Sequence, residues 1–326
     1  MFPRSLRYLL AVAEYGSFTR AAETLYVSQP TLSQQIKHLE EALGVQLLDR
    51  SGRTVRLTDA GEIYLHHARR ALGELDAGTR AINDVQDLSR GSLRLGWTPI
   101  TDYLACTLLA KFNSLYPGII LSTFEMPQDD IETAVMEDRI DVGIVFSGPL
   151  LSAEGVSSEL DMNLLFKEAL CLAVGSAHPR SDQKEPMSVQ EFGQESLVLL
   201  NNDFALRRHI DRYCLEHGIA PHITMETDSL SVIIEMIRVG PLATVLPTTI
   251  IRTQSGLHSI PLSPAMPHKA ITVISSKHGY KSPACLAFTA LASEWSVHRL
   301  VDAYSRNEAL SPGNGGYYQG DSVSSG

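Results

Sequence analysis

Between Ser17 and Arg50 the apolar positions follow two short helical rhythms separated by a polar turn. The first rhythm covers Thr19 to Leu25 and sets Ala21, Ala22 and Leu25 on one side. The second runs from Pro30 to Leu43, where Leu32, Ile36, Leu39 and Leu43 recur at gaps of four, three and four. Such gaps place all four on one face of a helix. Between them lies Tyr26-Val27-Ser28. Ser28 stands where an N-cap is wanted, Pro30 suits a first turn whose amides lack partners, and Gly44 stops the helix. The small alanines let the second helix approach closely, so the spacing predicts a helix-turn-helix.

The polar positions of the second helix carry the candidate chemistry. Gln29, Pro30, Thr31, Ser33, Gln34, Lys37 and His38 fall off the apolar stripe and crowd toward its N-terminal end. That end of a recognition helix meets base edges in the major groove, and Gln bonds adenine in bidentate fashion. A solvated face of an ordinary helix has the same composition, so the helix alone does not decide. After Gly44, Val55 and Leu57 alternate with Thr54, Arg56 and Thr58, and Ser51-Gly52 makes a turn. This is a short hairpin wing carrying Arg50, Arg53 and Arg56, a residue type suited to phosphates or a narrow minor groove. Ser28, Gln29, Pro30, Thr31, Ser33, Gln34, Lys37, Arg50 and Arg53 are the candidate DNA-contacting residues.

From Thr58 a long helix is expected to about Leu88. Tyr64, Ala68, Ala71, Leu75, Gly78, Ile82 and Val85 form a heptad seam that calls for a partner helix. Ser89-Arg90-Gly91-Ser92 reads as a hinge. Beyond it, apolar strands alternate with helical stretches, with strands expected at 93–97, 119–124, 141–146, 170–174, 197–200, 242–246, 257–262 and 270–275. Unbroken apolar strands between helices predict α/β lobes with mostly parallel sheets. The expected division is a winged helix-turn-helix at 1–58, a linker and dimerisation helix with hinge at 59–90, a first lobe at 91–161 and 266–302, a second lobe at 162–265, and a disordered tail at 303–326.

Charge qualifies the DNA reading. The chain of 326 residues has a formal net charge of −10, but residues 1–58 hold seven Arg and Lys against five Asp and Glu, so the acid lies elsewhere. Hydrophobic content of 44% and charged content of 20% suit a globular chain of several domains. Cys106, Cys171, Cys214 and Cys285 show no metal or redox spacing. No signal peptide and no membrane-length apolar run is read, which predicts a cytoplasmic protein away from membranes. No nucleotide-binding glycine motif, nucleophile elbow or zinc-protease motif is present, and His66-His67 point apart on a helix, so no enzyme, cofactor or metal is expected.

Taken together, Phe18-Thr19-Arg20-Ala21-Ala22, Leu25, Ser28-Gln29-Pro30, Leu32-Ser33, Ile36, Leu39-Glu40, Leu43-Gly44, Leu47, Arg50, Leu57-Thr58 and Ala60-Gly61 resemble the N-terminal domain of the LysR-type transcriptional regulators. Leu48 departs, standing where the family usually has Phe. The likeness continues at EALCLAV, LVLL and IDRYC, covering about the first 300 residues. It implies a periplasmic-binding-protein-like effector module, dimers built on the linker helix that pair into tetramers, binding to double-stranded promoter DNA, and RNA polymerase as a further partner. Within the family the likeness is greatest to activators of the cyanate operon, which implies an activator with cyanate as its effector.

Ligands of open α/β sheets bind beyond the carboxyl ends of the strands. That criterion selects Thr98, Pro99, Ile100, Thr101, Met126, Gln128 and Phe146 in the first lobe, and Asn201, Asn202, Thr227 and Pro247 in the second. Hydroxyls and free helix amides suit a small anion, whereas helix capping alone explains the same hydroxyls. The competing readings are a regulator of the same family with a different small-molecule effector, and a cytoplasmic solute-binding protein or an enzyme on the same lobes.

Overall fold

The computed structural model describes residues 2–52, 54–83, 88, 90–147 and 159–308. The N-terminal head contains α1 (Phe2–Tyr15), α2 (Phe18–Thr24) and α3 (Gln29–Leu43). A two-stranded wing follows, β1 (Leu48–Asp49) and β2 (Arg56–Leu57), then α4 (Asp59–Asn83). Three of the four expected positions are buried: Leu32, Ile36 and Leu39 join Leu9, Val12, Ala21, Ala22, Leu47 and Leu48 in one core, whereas Leu43, at the last turn of the helix, is 39% exposed. Leu48 is 2% exposed, so the smaller side chain is accommodated in that core.

Local chemistry sets the ends of these elements. Ser28 Oγ accepts from the Thr31 N–H at 3.3 Å, and Gly44 closes α3 at φ +68°. Thr58 starts α4: its Oγ1 accepts from the Gly61 N–H at 3.0 Å and donates to the Gln46 carbonyl at 2.8 Å. Leu65, Ala68 and Leu72 of α4 belong to the head core, so the first half of this helix is rigidly part of the head. The expected seam therefore divides. Ala68 is buried in its own head and Tyr64 is half-buried against it, while Ala71, Leu75 and Gly78 are exposed. Ile82 lies on the helix with its side chain outside the described residues, and Val85, with 84–87 and Ser89 of the expected hinge, lies outside them too.

Two α/β lobes follow. The first takes β3 (Gly91–Trp97), α5 (Pro99–Leu115), β4 (Ile119–Glu125), α6 (Gln128–Met136), β5 (Val142–Ser147) and β6 (Leu160–Glu168). The second takes β7 (Leu170–Gly175), β8 (Met187–Ser188), α7 (Val189–Phe192), β9 (Ser196–Leu200), α8 (Ala205–Glu216), β10 (His222–Thr227), α9 (Leu230–Val239), β11 (Ala243–Pro247), α10 (Thr248–Thr253), β12 (Leu257–Ile260) and β13 (Leu262–Ser263). The chain then returns to the first lobe with β14 (Lys269–Ser276) and α11 (Pro283–Glu308).

The sheet orders are β4-β3-β5-β14-β6 and β10-β9-β11-β7-β12. Each is mixed: β3 runs parallel to β4 and β5, and β9 parallel to β10 and β11, while β14 and β7 are antiparallel to their neighbours. The two lobes thus share one plan, with the returning or entering strand inserted antiparallel. The division expected at 161 falls inside β6, which pairs with β14 along its length, so the chain leaves the first sheet after Glu168. It re-enters that sheet with β14 at Lys269, just past Pro264 and Pro267. Strand β10 escaped the sequence reading because it lies at a sheet edge and buries none of its residues. Residues 303–308 of the expected tail continue α11, and 309–326 lie outside the described residues.

Candidate nucleic-acid interface and effector cleft

On α3 the candidates separate as a docking helix requires. Leu32, Ile36 and Leu39 face inward, and Gln29, Pro30, Thr31, Gln34, Lys37 and His38 are exposed. Ser33 is half-buried, and Gln35 turns inward to accept from Ser5 Oγ. The Ser28 and Thr31 hydroxyls lie 2.7 Å apart and bond each other, so their first task is to hold the helix start. Lys37 is paired loosely with Glu41 at 3.7 Å, both side chains being mostly solvated, which leaves it free to exchange that partner for a phosphate.

Arg50, a candidate DNA contact on the wing, is also tied into the head. Its Nη2 donates to Glu40 Oε2 at 2.6 Å, and its guanidinium lies over the Phe18 ring at 5.1 Å. Glu40 Oε1 also accepts from the N–H groups of Leu47 and Leu48 at 2.9 and 3.1 Å. The Glu40–Arg50 pair thereby fastens the wing to the recognition helix. Arg53 lies outside the described residues. Arg56 is exposed opposite Asp49, whose carboxyl is held below its usual range by hydrogen bonds from the Ser51 hydroxyl and N–H, with Arg56 adding to the effect. In the sequence Tyr26 is simply part of the turn before the second helix. It is 96% exposed at φ +53° beside the start of α3, a position from which its hydroxyl reaches outward. Flanked by Leu25 and Val27, it carried no sequence signal that set it apart; its exposure follows from the left-handed turn.

In the lobes the candidates do gather at strand ends, but much of their hydrogen bonding is already used. Thr98 Oγ1 accepts from the Thr101 N–H at 3.3 Å, and Thr101 Oγ1 accepts from the Thr98 N–H at 2.8 Å and donates to the Ile144 carbonyl at 2.9 Å. Thr101 is fully buried, with Pro99 and Ile100 also inside. Gln128 is 5% exposed: its Oε1 accepts from the Phe146 N–H at 3.2 Å and its Nε2 donates to Glu132 at 2.9 Å. Met126 is half-buried and Phe146 buried. In the second lobe Asn201 Oδ1 accepts from the Asp203 N–H at 3.0 Å and Thr227 Oγ1 from the Ser229 N–H at 3.2 Å. Asn202 is exposed and Pro247 buried at the start of α10.

Asp102 and Glu125, neither selected from the sequence, join Asp228 in setting the charge of this region. Burial pushes the Asp102 carboxyl up to about 7, with the Tyr103 N–H opposing and Glu125 reinforcing. Burial raises Glu125 as well, and Asp228 of the second lobe adds to that rise. Burial also raises Glu132. Acidic groups from both lobes therefore confront one another where a small anion was expected. Across the lobes, Arg208 Nη2 donates to Asp129 at 3.1 Å while its Nη1 donates to the Asp203 carbonyl at 2.8 Å.

Two family models match the chain. Residues 3–62 match the bacterial regulatory helix-turn-helix protein, lysR family, and residues 86–296 match the LysR substrate binding domain. The chain belongs to the LysR family. It is a DNA-binding transcriptional regulator with an effector-binding module. A similar relative is the "Uncharacterized HTH-type transcriptional regulator YwbI" of Bacillus subtilis, 33% identical over 76% of this chain and 81% of that protein. Another is the "Probable RuBisCO transcriptional regulator" of Synechocystis, 30% identical over 95% of this chain and 93% of that protein. Neither name speaks of cyanate. Among solved structures, a full-length OxyR variant from Pseudomonas aeruginosa is 25% identical with a TM-score of 0.63 over 90% of this chain and 93% of that one. CbnR complexed with its target DNA is 24% identical with a TM-score of 0.61 over 91% of this chain and all of CbnR, a likeness of fold. No helix among the described residues is long and apolar enough to cross a membrane, and no group of side chains among them is arranged to hold a metal ion.

Proposed function

We propose that this LysR-family regulator activates transcription from promoter DNA in the cytoplasm, acting as a dimer or tetramer gated by a small molecule bound between its lobes. The observation that carries the DNA-contact assignment is the exposed row Gln29, Thr31, Gln34 and Lys37 on a helix whose opposite face is buried, with Arg56 on the adjacent wing. Gln29, Ser33 and Gln34 read base edges, while Ser28, Thr31, Lys37, Arg50, Arg53 and Tyr26 meet the backbone. The exposed Ala71, Leu75 and Gly78 are the part of α4 left for a second subunit, and two heads on a twofold axis require a DNA site of matching symmetry. RNA polymerase is the partner through which an activator of this kind works.

The effector sits at the strand ends marked by Thr98, Met126, Gln128, Phe146, Asn201, Asn202, Thr227 and Pro247. The relatives named as RuBisCO transcriptional regulators support a promoter of that class. Cyanate finds no such support, and the carboxylates of Asp102, Glu125 and Asp228 disfavour any small anion at the start of α5. The test is fluorescence anisotropy with DNA from the gene's own upstream region, with and without cyanate, at two salt concentrations. Tight, salt-sensitive binding that cyanate leaves unchanged is the expected result. Gln29→Ala is expected to cost about 1–3 kcal/mol for the specific site alone. Arg53→Ala is expected to weaken binding to every sequence and to reduce the salt slope by about 1. Unchanged operator affinity in both variants sinks the contact assignment.

A further inference from the structure

The covalent route from head to lobes passes through 84–90, but the first lobe also touches the head directly. Arg69 of α4 donates to Glu137 Oε1 at 3.1 Å, and Arg139 donates to Glu137 Oε2 at 2.8 Å. The Glu137 side chain is 4% exposed, so this is a desolvated carboxylate held between two guanidiniums. One turn along α4, Gly73 lies so near the same corner that a Cβ there would sit 3.0 Å from the Asp138 Cβ and 3.3 Å from the Glu137 carbonyl. Arg69 and Gly73 flank Leu72, which is locked into the head core. This corner of the first lobe is therefore clasped to the rigid part of the head and not to the hinge.

Glu137 is the C-cap of α6, whose other end lies at the cleft. There Gln128 holds the Phe146 N–H at the end of β5, and Asp129 reaches across to Arg208 of the second lobe. Between its ends α6 packs through Ile131, Ala134 and Val135 into a cluster with Ile140, Val145, Leu160 and Ile274 that is separate from the main lobe core. A helix of nine residues on its own apolar bed moves as one piece when one end is pulled, because packed side chains transmit displacement without compressing.

We propose that α6 is the element that couples the effector cleft to the DNA-binding head, pulled at Asp129 by the second lobe and reporting through the Glu137–Arg69 clasp and the Gly73 contact. The inference rests on the effector-gated reading above. Lobe movement changes the Arg208–Asp129 end, α6 shifts on its bed, and the head rotates with α4 because Leu65, Ala68 and Leu72 bind the two together. Removing Arg69 leaves Glu137 paired with Arg139, so the lobe keeps its fold while the link is cut.

The experiment is a double-mutant cycle on the full chain with no effector needed. Asp129→Lys sets like charges against Arg208 at the cleft end, and Arg69→Gln cuts the clasp. One readout is affinity for a DNA site selected from a random pool by the unmodified protein, and the other is backbone hydrogen exchange of 59–83 without DNA. Asp129→Lys is expected to change affinity and linker-helix exchange about fivefold, the low end of allosteric couplings, and to change neither when Arg69→Gln is present. Arg69→Lys is expected to restore the response. Equal effects of Asp129→Lys with and without Arg69→Gln overturn the proposal, as does a linker helix indifferent to Asp129→Lys. Selection of no DNA by the unmodified protein would strike at the regulator reading, while the exchange measurement still decides the clasp.

Discussion

The head and the effector cleft are built by opposite strategies. In the head, the groups that fix the recognition helix lie close along the chain: Ser28 caps Thr31, Gly44 ends the helix, Glu40 holds Arg50, and Thr58 caps the next helix through Gly61. In the cleft, the groups that set the charge come from Asp102, Glu125 and Asp228, brought together by two different sheets. A local motif states its chemistry in its spacing. A pocket made by convergence states it only after the chain has folded.

The head's dependence on local closeness gives the largest expected effect. A Cβ on Gly61 would lie 2.0 Å from the Leu47 carbonyl oxygen, the same oxygen that accepts from the Thr58 N–H. No side-chain rotation relieves a clash with backbone, so Gly61→Ala must separate the wing from α4. The expected cost is about 3 kcal/mol, confined to the head. Thermal unfolding followed by circular dichroism would show an early transition lost or lowered while the lobes unfold as before, with specific DNA binding abolished. A single transition lowered as a whole would show instead that head and lobes are not independent units.

Thr101 tests the cleft in the same way. Its hydroxyl was a candidate for the effector and is found fully buried, bonded to the Thr98 N–H and the Ile144 carbonyl. Thr101→Val keeps the shape and leaves those buried groups unmet, at about 2 kcal/mol of lobe stability. Denaturant unfolding measures it. Undiminished stability together with lost effector response would return Thr101 to the ligand site.

These two residues also show how far the sequence could be read. Gly61 belonged to the family-like run and the buried stripe of Leu32, Ile36 and Leu39 followed from spacing alone, so the head was legible almost residue by residue. Most of each lobe was legible as strands and helices because its central strands are mainly apolar, as in Val142–Ser147 and Ala243–Pro247. Strands β6 and β10 were missed because partial exposure breaks their apolar pattern. At the cleft, strand ends were located correctly, but capping and ligand binding ask for the same hydroxyls, and spacing does not separate them. Asp228 was legible at its strand end, but its meeting with Asp102 and Glu125 was not, because Asp102 and Asp228 are 126 positions apart in the chain.

The smallest expected effect isolates that acidic convergence. Burial raises Asp102 to about 7, above the ordinary 3.8 of an aspartate, so the folded lobe takes up a proton that the unfolded chain has released. The stability this protonation contributes is fully present below pH 3.8 and is lost as pH rises through about 7. Asp102→Asn keeps the acceptor for the Tyr103 N–H and removes the titration. The variant is therefore expected to match the parent at pH 4 and to be more stable at pH 8, by about 1 kcal/mol once solvent screening at this partly open site is allowed for. Urea midpoints measured at steps between those limits read the difference directly. Because Glu125 faces both Asp102 and Asp228, the same substitution removes one repulsion at the mouth of the cleft, which an independent head does not feel. If the gain at pH 8 appears in the lobe transition and leaves the head transition unmoved, the acid belongs to the cleft alone. If the head transition moves with it, charge in the cleft is felt at the DNA-binding surface even without an effector.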